Sequence, residues 1–309
     1  MAAEMNEEKK DLTDYSFIQG GNENVDNGYT PKIPDTGQFY CDAMNDGNIN
    51  MVSNNVKPEL IVLIGFSDYG KSTFVGSLYY YLLTKGEVEG YKMYDSDTFS
   101  GFERRFYLRS VKNDEEIKSK TLRTEEEDEY LLTLNLVNPV QREKKQIIIS
   151  DRAGETYGKY VDIKERIKND ESIPRAQRVL IFLDTTKLSE KWDVEEGKFR
   201  QLFGGLKECK KMPKDATYTL LFNKIDLVEK DDHKKNDYVA YKQMIVNFFC
   251  SQLELSSEDL DCREIDSKHV HNNERFEKLV KDLIKKDDAS KNEEQRLKKI
   301  LDWVGEKMK

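Results

Sequence analysis

The run Gly65-Phe-Ser-Asp-Tyr-Gly-Lys-Ser-Thr73 stands between an apolar stretch, Leu60-Ile-Val-Leu-Ile64, and a helix-patterned stretch that begins at Lys71. This arrangement constrains the fold more than any other segment, because it calls for a strand that ends in a tight glycine turn and re-emerges as a helix. Successive backbone N–H groups of such a turn converge on one anion. Gly65 and Gly70 relieve the sterics of the turn, and Phe66, Ser67, Asp68 and Tyr69 complete the loop. Lys71 is then placed to reach β- and γ-phosphate oxygens, the Ser72 hydroxyl can ligate Mg²⁺, and Thr73 continues the first helical turn. The positive end of the helix dipole adds to the attraction. With the correct strand before it and helix after it, a chance loop match is the lesser reading.

At 309 residues the chain can bury one large core or two modest ones. Charged residues make up 35% of it and the formal net charge is −9, which argues against nucleic acid or an anionic membrane as the main partner. No apolar stretch approaches the roughly eighteen residues of a membrane-spanning helix, and the acidic amino terminus does not resemble a secretory leader. Cys41, Cys209, Cys250 and Cys262 are widely spaced, with no metal-ligand pattern, so buried free thiols in a reducing cytoplasm are expected. His269 and His271 alternate, and His233 lies in a charged loop; surface histidines are the default reading for all three.

Three regions follow from the patterning. Residues 1–56 are rich in Asn, Asp, Glu and Gly without a sustained period, and read as a disordered or partner-docked acidic arm. From 57 to 286 strand-like runs (60–65, 130–137, 147–151, 179–184, 218–223 and 262–265) alternate with helical patterns at 71–83, 193–211, 240–255 and 273–286. Such alternation predicts an α/β fold: a mostly parallel sheet with helices on both faces and one antiparallel hairpin from the second and third runs. Residues 84–123 form an extended insert, with Phe99, Phe102 and Phe106 expected to pack one helix face on the core. Residues 287–309 place Leu297, Ile300, Leu301, Val304 and Met308 on one face of a C-terminal helical extension.

Later strands also end in chemistry. Ile147–Ser150 leads into Asp151-Arg-Ala-Gly154, where a strand-end aspartate can hold the water shell of Mg²⁺ and Gly154 can offer its N–H to a γ-phosphate oxygen. Leu220–Phe222 leads into Asn223-Lys-Ile-Asp226. The Asp226 carboxylate can accept from both N1–H and N2–H₂ of guanine, a donor pair that adenine lacks, and Lys224 can lie along the base plane. Asp266-Ser-Lys268 stands where a further loop can turn backbone N–H groups of Ser267 and Lys268 toward guanine O6.

Together these motifs resemble the P-loop GTPases of the translation-factor class, with the Ras-like fold, over about residues 58–286. The resemblance implies GTP and GDP with Mg²⁺ as ligands, and a switch threonine that closes on the metal. Thr124 is chosen over Thr121 because it precedes an acidic stretch and then a strand, with Ser72 and Asp151 as the other metal-site residues. Arg123, beside it, can supply a positive charge to the transition state in cis, or be an exposed arginine of a loop. The runs Asp97–Arg105, Leu122–Thr124 and Ser150–Glu155 are similar to the bacterial double-GTPase families, which are linked by gene context to conflict and defence systems. A protein effector, and specifically a second, paired GTPase, is the implied partner.

Two departures from the Ras-like pattern bear on chemistry. Glu155 stands where those enzymes carry the glutamine that orients water; a carboxylate there can take a proton but also repels the γ-phosphate, so slow intrinsic hydrolysis is expected. Asp68 can ligate K⁺ or Na⁺ across the phosphates, or simply brace the turn. Lys71, Thr124, Glu155, Asp68 and Arg123 are thus the candidate catalytic residues of a cytoplasmic GTPase. Its rivals are a GTP-binding scaffold with negligible hydrolysis and, further off, an ATPase.

Overall fold

The computed structural model describes residues 43–44, 58–110, 131–213 and 215–285. Of the expected arm at 1–56 only residues 43 and 44 are described, and there Met44 is buried and bridged to Leu131; the rest of the arm, the switch residues Thr121, Arg123 and Thr124, and the extension at 287–309 lie outside the described residues. Strands β1 (Pro58–Ile64), β2 (Lys92–Asp95), β3 (Leu131–Asn138), β4 (Glu143–Ser150), β5 (Arg178–Asp184), β6 (Thr217–Asn223) and β7 (Asp261–Ile265) form one sheet in the order β2-β3-β4-β1-β5-β6-β7. β1 lies parallel to β4 and β5, β5 to β6, and β6 to β7; β2–β3 and β3–β4 are antiparallel. The expected hairpin is therefore β3–β4, with Leu131 opposite Ser150 and Asn138 opposite Glu143.

The central strands are apolar on both faces. Leu60, Val62 and Leu63 of β1, Val179 through Leu183 of β5, and Leu220 through Phe222 of β6 are fully buried, as strands covered on both sides must be. Their helices fall into two groups that pack among themselves. α1 (Lys71–Lys85) contacts α2 (Phe99–Ser110) and, through Phe74 and Tyr81, reaches Phe276 of α8 (Glu274–Ile284). On the other side α3 (Gly154–Asp162) and the short α4 (Lys164–Lys168) pack on α5 (Thr185–Glu208), which with the short α6 (Ile225–Glu229) packs on α7 (Asp232–Leu253). Right-handed crossovers account for the division. From β1 the chain moves toward β4 by way of α1, and from β4 it returns past β1 to β5 by way of α3. The loops after β1 and β5 consequently diverge to opposite faces, and the crevice between them is the switch point where α/β sheets bind ligands.

Two helices begin earlier than the periodicity suggests. α5 starts at Thr185 rather than near 193, because the Asp184 carboxylate caps it by accepting the Thr186 N–H at 3.1 Å. α7 starts at Asp232 rather than 240, since Asp231 accepts from His233 and Lys234 N–H groups. The polar first turns of α7, Asp-His-Lys-Lys-Asn-Asp, mask its apolar stripe. The expected insert also contains regular structure: β2 is a short edge strand, too brief and too charged to show in the sequence, and α2 follows it. Phe102 is fully buried and stacks on Tyr79, while Phe106 stacks on Tyr80, so the aromatic face of α2 packs on α1 as expected. Cys209, Cys250 and Cys262 are free thiols, but only partly buried.

Candidate functional site

The loop after β1 is closed by packing as much as by its own turns. Gly70 sits at φ +88°, and a Cβ there would lie 2.2 Å from Asn223 Nδ2. That amide donates to the Tyr69 carbonyl at 2.8 Å, so the left-handed glycine and the asparagine of β6 are two halves of one contact. Phe66 and Tyr69 point inward instead of toward a ligand: each ring packs on Phe199 of α5. Only their backbone remains to face a phosphate. Asp68, also left-handed at φ 66°, is exposed.

Lys71 is buried beneath the loop, its Nζ donating to Gly65 O at 2.6 Å and Phe66 O at 3.2 Å. Burial pushes its ammonium down to about 8, against the opposing pull of Asp151, Glu155 and Asp68. The Tyr157 ring of α3 lies 5.6 Å from the Nζ, and its hydroxyl donates to Leu63 O of β1 at 2.6 Å. Gly154, at the start of α3, is pressed against the loop: a Cβ would lie 2.2 Å from Ser67 N. Only glycine fits there without moving the loop backbone.

Ser72 Oγ donates to Asp151 Oδ1 at 3.2 Å. A hydroxyl and a carboxylate are hard oxygen donors, adjacent to a lysine that binds phosphate in this motif, and this donor set fits Mg²⁺. The second carboxylate oxygen has a partner that sequence reading did not assign: Arg105 Nε of α2 donates to Asp151 Oδ2 at 2.7 Å, with both side chains buried. Arg105 lies in the Asp97–Arg105 run, where its charge and helical setting were legible but its destination was not. The neighbouring Arg152 turns away into an interior network. It donates through Nη2 to Asp170 Oδ1 at 3.1 Å, and through Nη1 to Asp170 and Tyr160. This clamps the segment between Asp151 and α3 from behind.

At the other end of the crevice Asn223 is spent on bracing. Its Oδ1 accepts from Ser267 N at 3.1 Å and Ser267 Oγ at 2.9 Å, so the base-side loop is tied through one buried amide to the phosphate loop. The Ser267 N–H, expected to face guanine O6, is donated to Asn223 instead. The Lys268 N–H goes to Asp266 Oδ1 at 2.9 Å, because an aspartate at a turn captures the amides that follow it. Lys224, left-handed at φ 63°, pairs with Asp184 Oδ2 at 2.7 Å. Asp184, at the end of β5, was another unassigned residue; it orients Lys224 and caps α5 at once. Asp226 is half-buried, and burial followed by the nearby Asp266 carboxylate raises its pKa above the usual range. The side chains of Asp226, Asp266 and His269 bring one ligand-type atom each within 4.8 Å of the others.

The family model named Double-GTPase 2 matches residues 59–284, nearly the whole described sheet and its helices. The chain belongs to the Double-GTPase 2 family. Membership carries guanine-nucleotide binding and GTPase activity as its coarse function. None of the curated proteins compared with the chain matches it. A solved structure of the bacterial selenocysteine-specific elongation factor EF-Sec is similar at 15% identity and a TM-score of 0.35, the match covering 78% of this chain and 29% of that one. The chain thus spans less than a third of that factor's length, and nothing further rests on the likeness. No helix among the described residues of this Double-GTPase 2 member is long and apolar enough to cross a membrane.

Proposed function

We propose that the protein binds GTP with Mg²⁺, hydrolyses it slowly to GDP and phosphate, and uses the change to control a protein partner. The observation that carries this reading is the meeting of Ser72, Asp151 and the buried Lys71 at the switch point, tied by Asn223 to a loop bearing a half-buried Asp226. Lys71 and the loop amides hold the phosphates. Ser72 and Asp151 would hold the Mg²⁺, which when bound supplies charge neutralisation at the β- and γ-oxygens. Asp226 accepts the two guanine donors, and Lys224, steered by Asp184, flanks the base.

Glu155 opens α3 and is close enough to Lys71 to support the lysine's charge. From there its carboxylate can accept a proton from water or repel the γ-phosphate, which is why slow turnover is proposed. The partner proposed is a second, paired GTPase in a bacterial defence system, in the cytoplasm, with Thr124 as the switch residue and K⁺ or Na⁺ as an accessory ion at Asp68. The rival is a GTP-binding scaffold in which hydrolysis is negligible.

Phosphate release under multiple turnover separates the two. Purified protein with Mg²⁺ and GTP, in K⁺ and in Na⁺, is expected to release phosphate, less with Glu155→Ala. Asp68→Ala is expected to abolish any difference between the two salts. Tight GTP binding with no release in either salt, alone or with the paired GTPase, assigns the scaffold instead.

A further inference from the structure

Arg105 reaches the metal site from outside the nucleotide motifs, and its setting is built. Phe102 stacks on Tyr79 with ring centroids 5.1 Å apart, and Phe106 stacks on Tyr80 at 4.7 Å. The Arg105 carbonyl lies over Gly76 of α1, where an added Cβ would meet it at 3.4 Å. Arg105 Nη1 donates to Gly101 O within its own helix at 3.0 Å, which aims Nε at Asp151. α2 is therefore docked on α1 so that a preorganised guanidinium meets the strand-end carboxylate. The Asp151 side chain is fully buried and that of Arg105 is 7% exposed.

A cation bound at Asp151 competes with this guanidinium for the same carboxylate. Asp151 presents Oδ1 to Ser72 and Oδ2 to Arg105, and these two side chains, Ser72 and Asp151, are the ones whose donor set fits Mg²⁺. A divalent ion approaching them meets a carboxylate whose charge is already partly neutralised, with a unit positive charge in contact with it.

We propose that Arg105 is a positioning residue of the nucleotide site, a built-in counter-ion that competes with Mg²⁺ for Asp151 and so sets the metal requirement for guanine nucleotide. This rests on the GTPase reading above. It also makes the docking of α2 and the binding of Mg²⁺-nucleotide reciprocal: whatever weakens one pairing favours the other. A partner that gripped α2 would thereby reach the metal site through a single side chain.

The test is a Mg²⁺ titration of fluorescent GDP and GTP binding to the full chain, for wild type, Arg105→Gln and Arg105→Lys. Arg105→Gln is expected to lower the Mg²⁺ concentration for half-maximal binding by about tenfold, the order expected when one unit charge leaves contact with a carboxylate. Arg105→Lys, which keeps the charge, is expected to stay near wild type. Added Mg²⁺ with GDP is expected to raise the Tm of Arg105→Gln more than that of wild type, because the ion replaces the missing counter-charge. Amide exchange in α2 of the unaltered protein supplies a reading that needs no variant to fold, and is expected to quicken when Mg²⁺ joins the nucleotide.

An unmoved or raised Mg²⁺ midpoint in Arg105→Gln, or α2 exchange indifferent to Mg²⁺, overturns the inference and leaves the pair as a tether for α2. Failure of the wild type to bind guanine nucleotide at any Mg²⁺ concentration overturns the underlying reading instead.

Discussion

The two ends of the crevice are built on opposite plans. At the phosphate end Lys71, Asp151, Arg105 and Arg152 are all buried, and Gly154 touches the loop too closely for any side chain. At the base end Asp226 is half-buried, Asp266 partly so, and His269 exposed. A charge in the interior must be paired by the fold itself, so residues of the phosphate end are also part of the core. A charge at the rim is compensated by water. Substitutions at the phosphate end, Arg105 as the counter-ion apart, should therefore cost stability and binding together, whereas those at the base end should cost selectivity alone. Asn223, 2% exposed and bonded to both ends, belongs to the first class despite its place in the base motif.

The sharpest way to break that contrast is the Arg152 clamp. Arg152→Ala or Asp170→Ala strands a buried charge, and urea unfolding is expected to show a loss of about 3–5 kcal/mol. A loss below about 1 kcal/mol, the level of an exposed pair, would mean that the phosphate end is not held by its interior pairs. Next is Gly154→Ala, in which the new methyl must displace the Phe66–Ser67 backbone. Overpacking of this kind costs about 1–3 kcal/mol, and GTP affinity is expected to fall with stability, which calorimetry on one sample can read for both.

At the base end Asp226→Asn is expected to leave unfolding within about 0.5 kcal/mol of wild type. It should nevertheless weaken GTP by about 2 kcal/mol, the worth of hydrogen bonds to a charged acceptor, without a matching loss for ATP. A parallel drop in stability would erase the distinction between the ends. The smallest effect is a pH dependence. Base N–H donors favour the ionised carboxylate, so the GTP-over-ATP preference is complete above the raised Asp226 pKa and declines as pH falls through it. Competition binding on acidification should show the loss setting in at a higher pH than an ordinary carboxylate near 4 would produce.

Much of this contrast was legible along the chain, though unevenly. Apolar runs such as Leu60–Ile64 and Leu220–Phe222 announced the central strands because burial on both faces requires unbroken hydrophobicity. β2 and the first turns of α7 escaped notice because an edge strand and a capped polar helix start need no apolar pattern. The nucleotide motifs singled out Asp226 along with Lys71, Ser72 and Asp151, of which the last two meet in the fold. They did not foretell that the N–H groups of Ser267 and Lys268 would be captured by Asn223 and Asp266, since two equivalent acceptors for one amide differ only in distance.

Local sequence determined the phosphate loop, the order of strand ends along the chain and the family to which the protein belongs, because each depends on residues a few positions apart. Which arginine stands beside Asp151 was decided by the tertiary structure alone. Arg105 is separated from Asp151 by 46 residues, and Arg152 is its neighbour. The docking of α2 on α1 brings the distant arginine in, and the Asp170 network draws the adjacent one out. A side chain's partner is set by where packing leaves its head group, and packing is a property of the whole sheet and its helices.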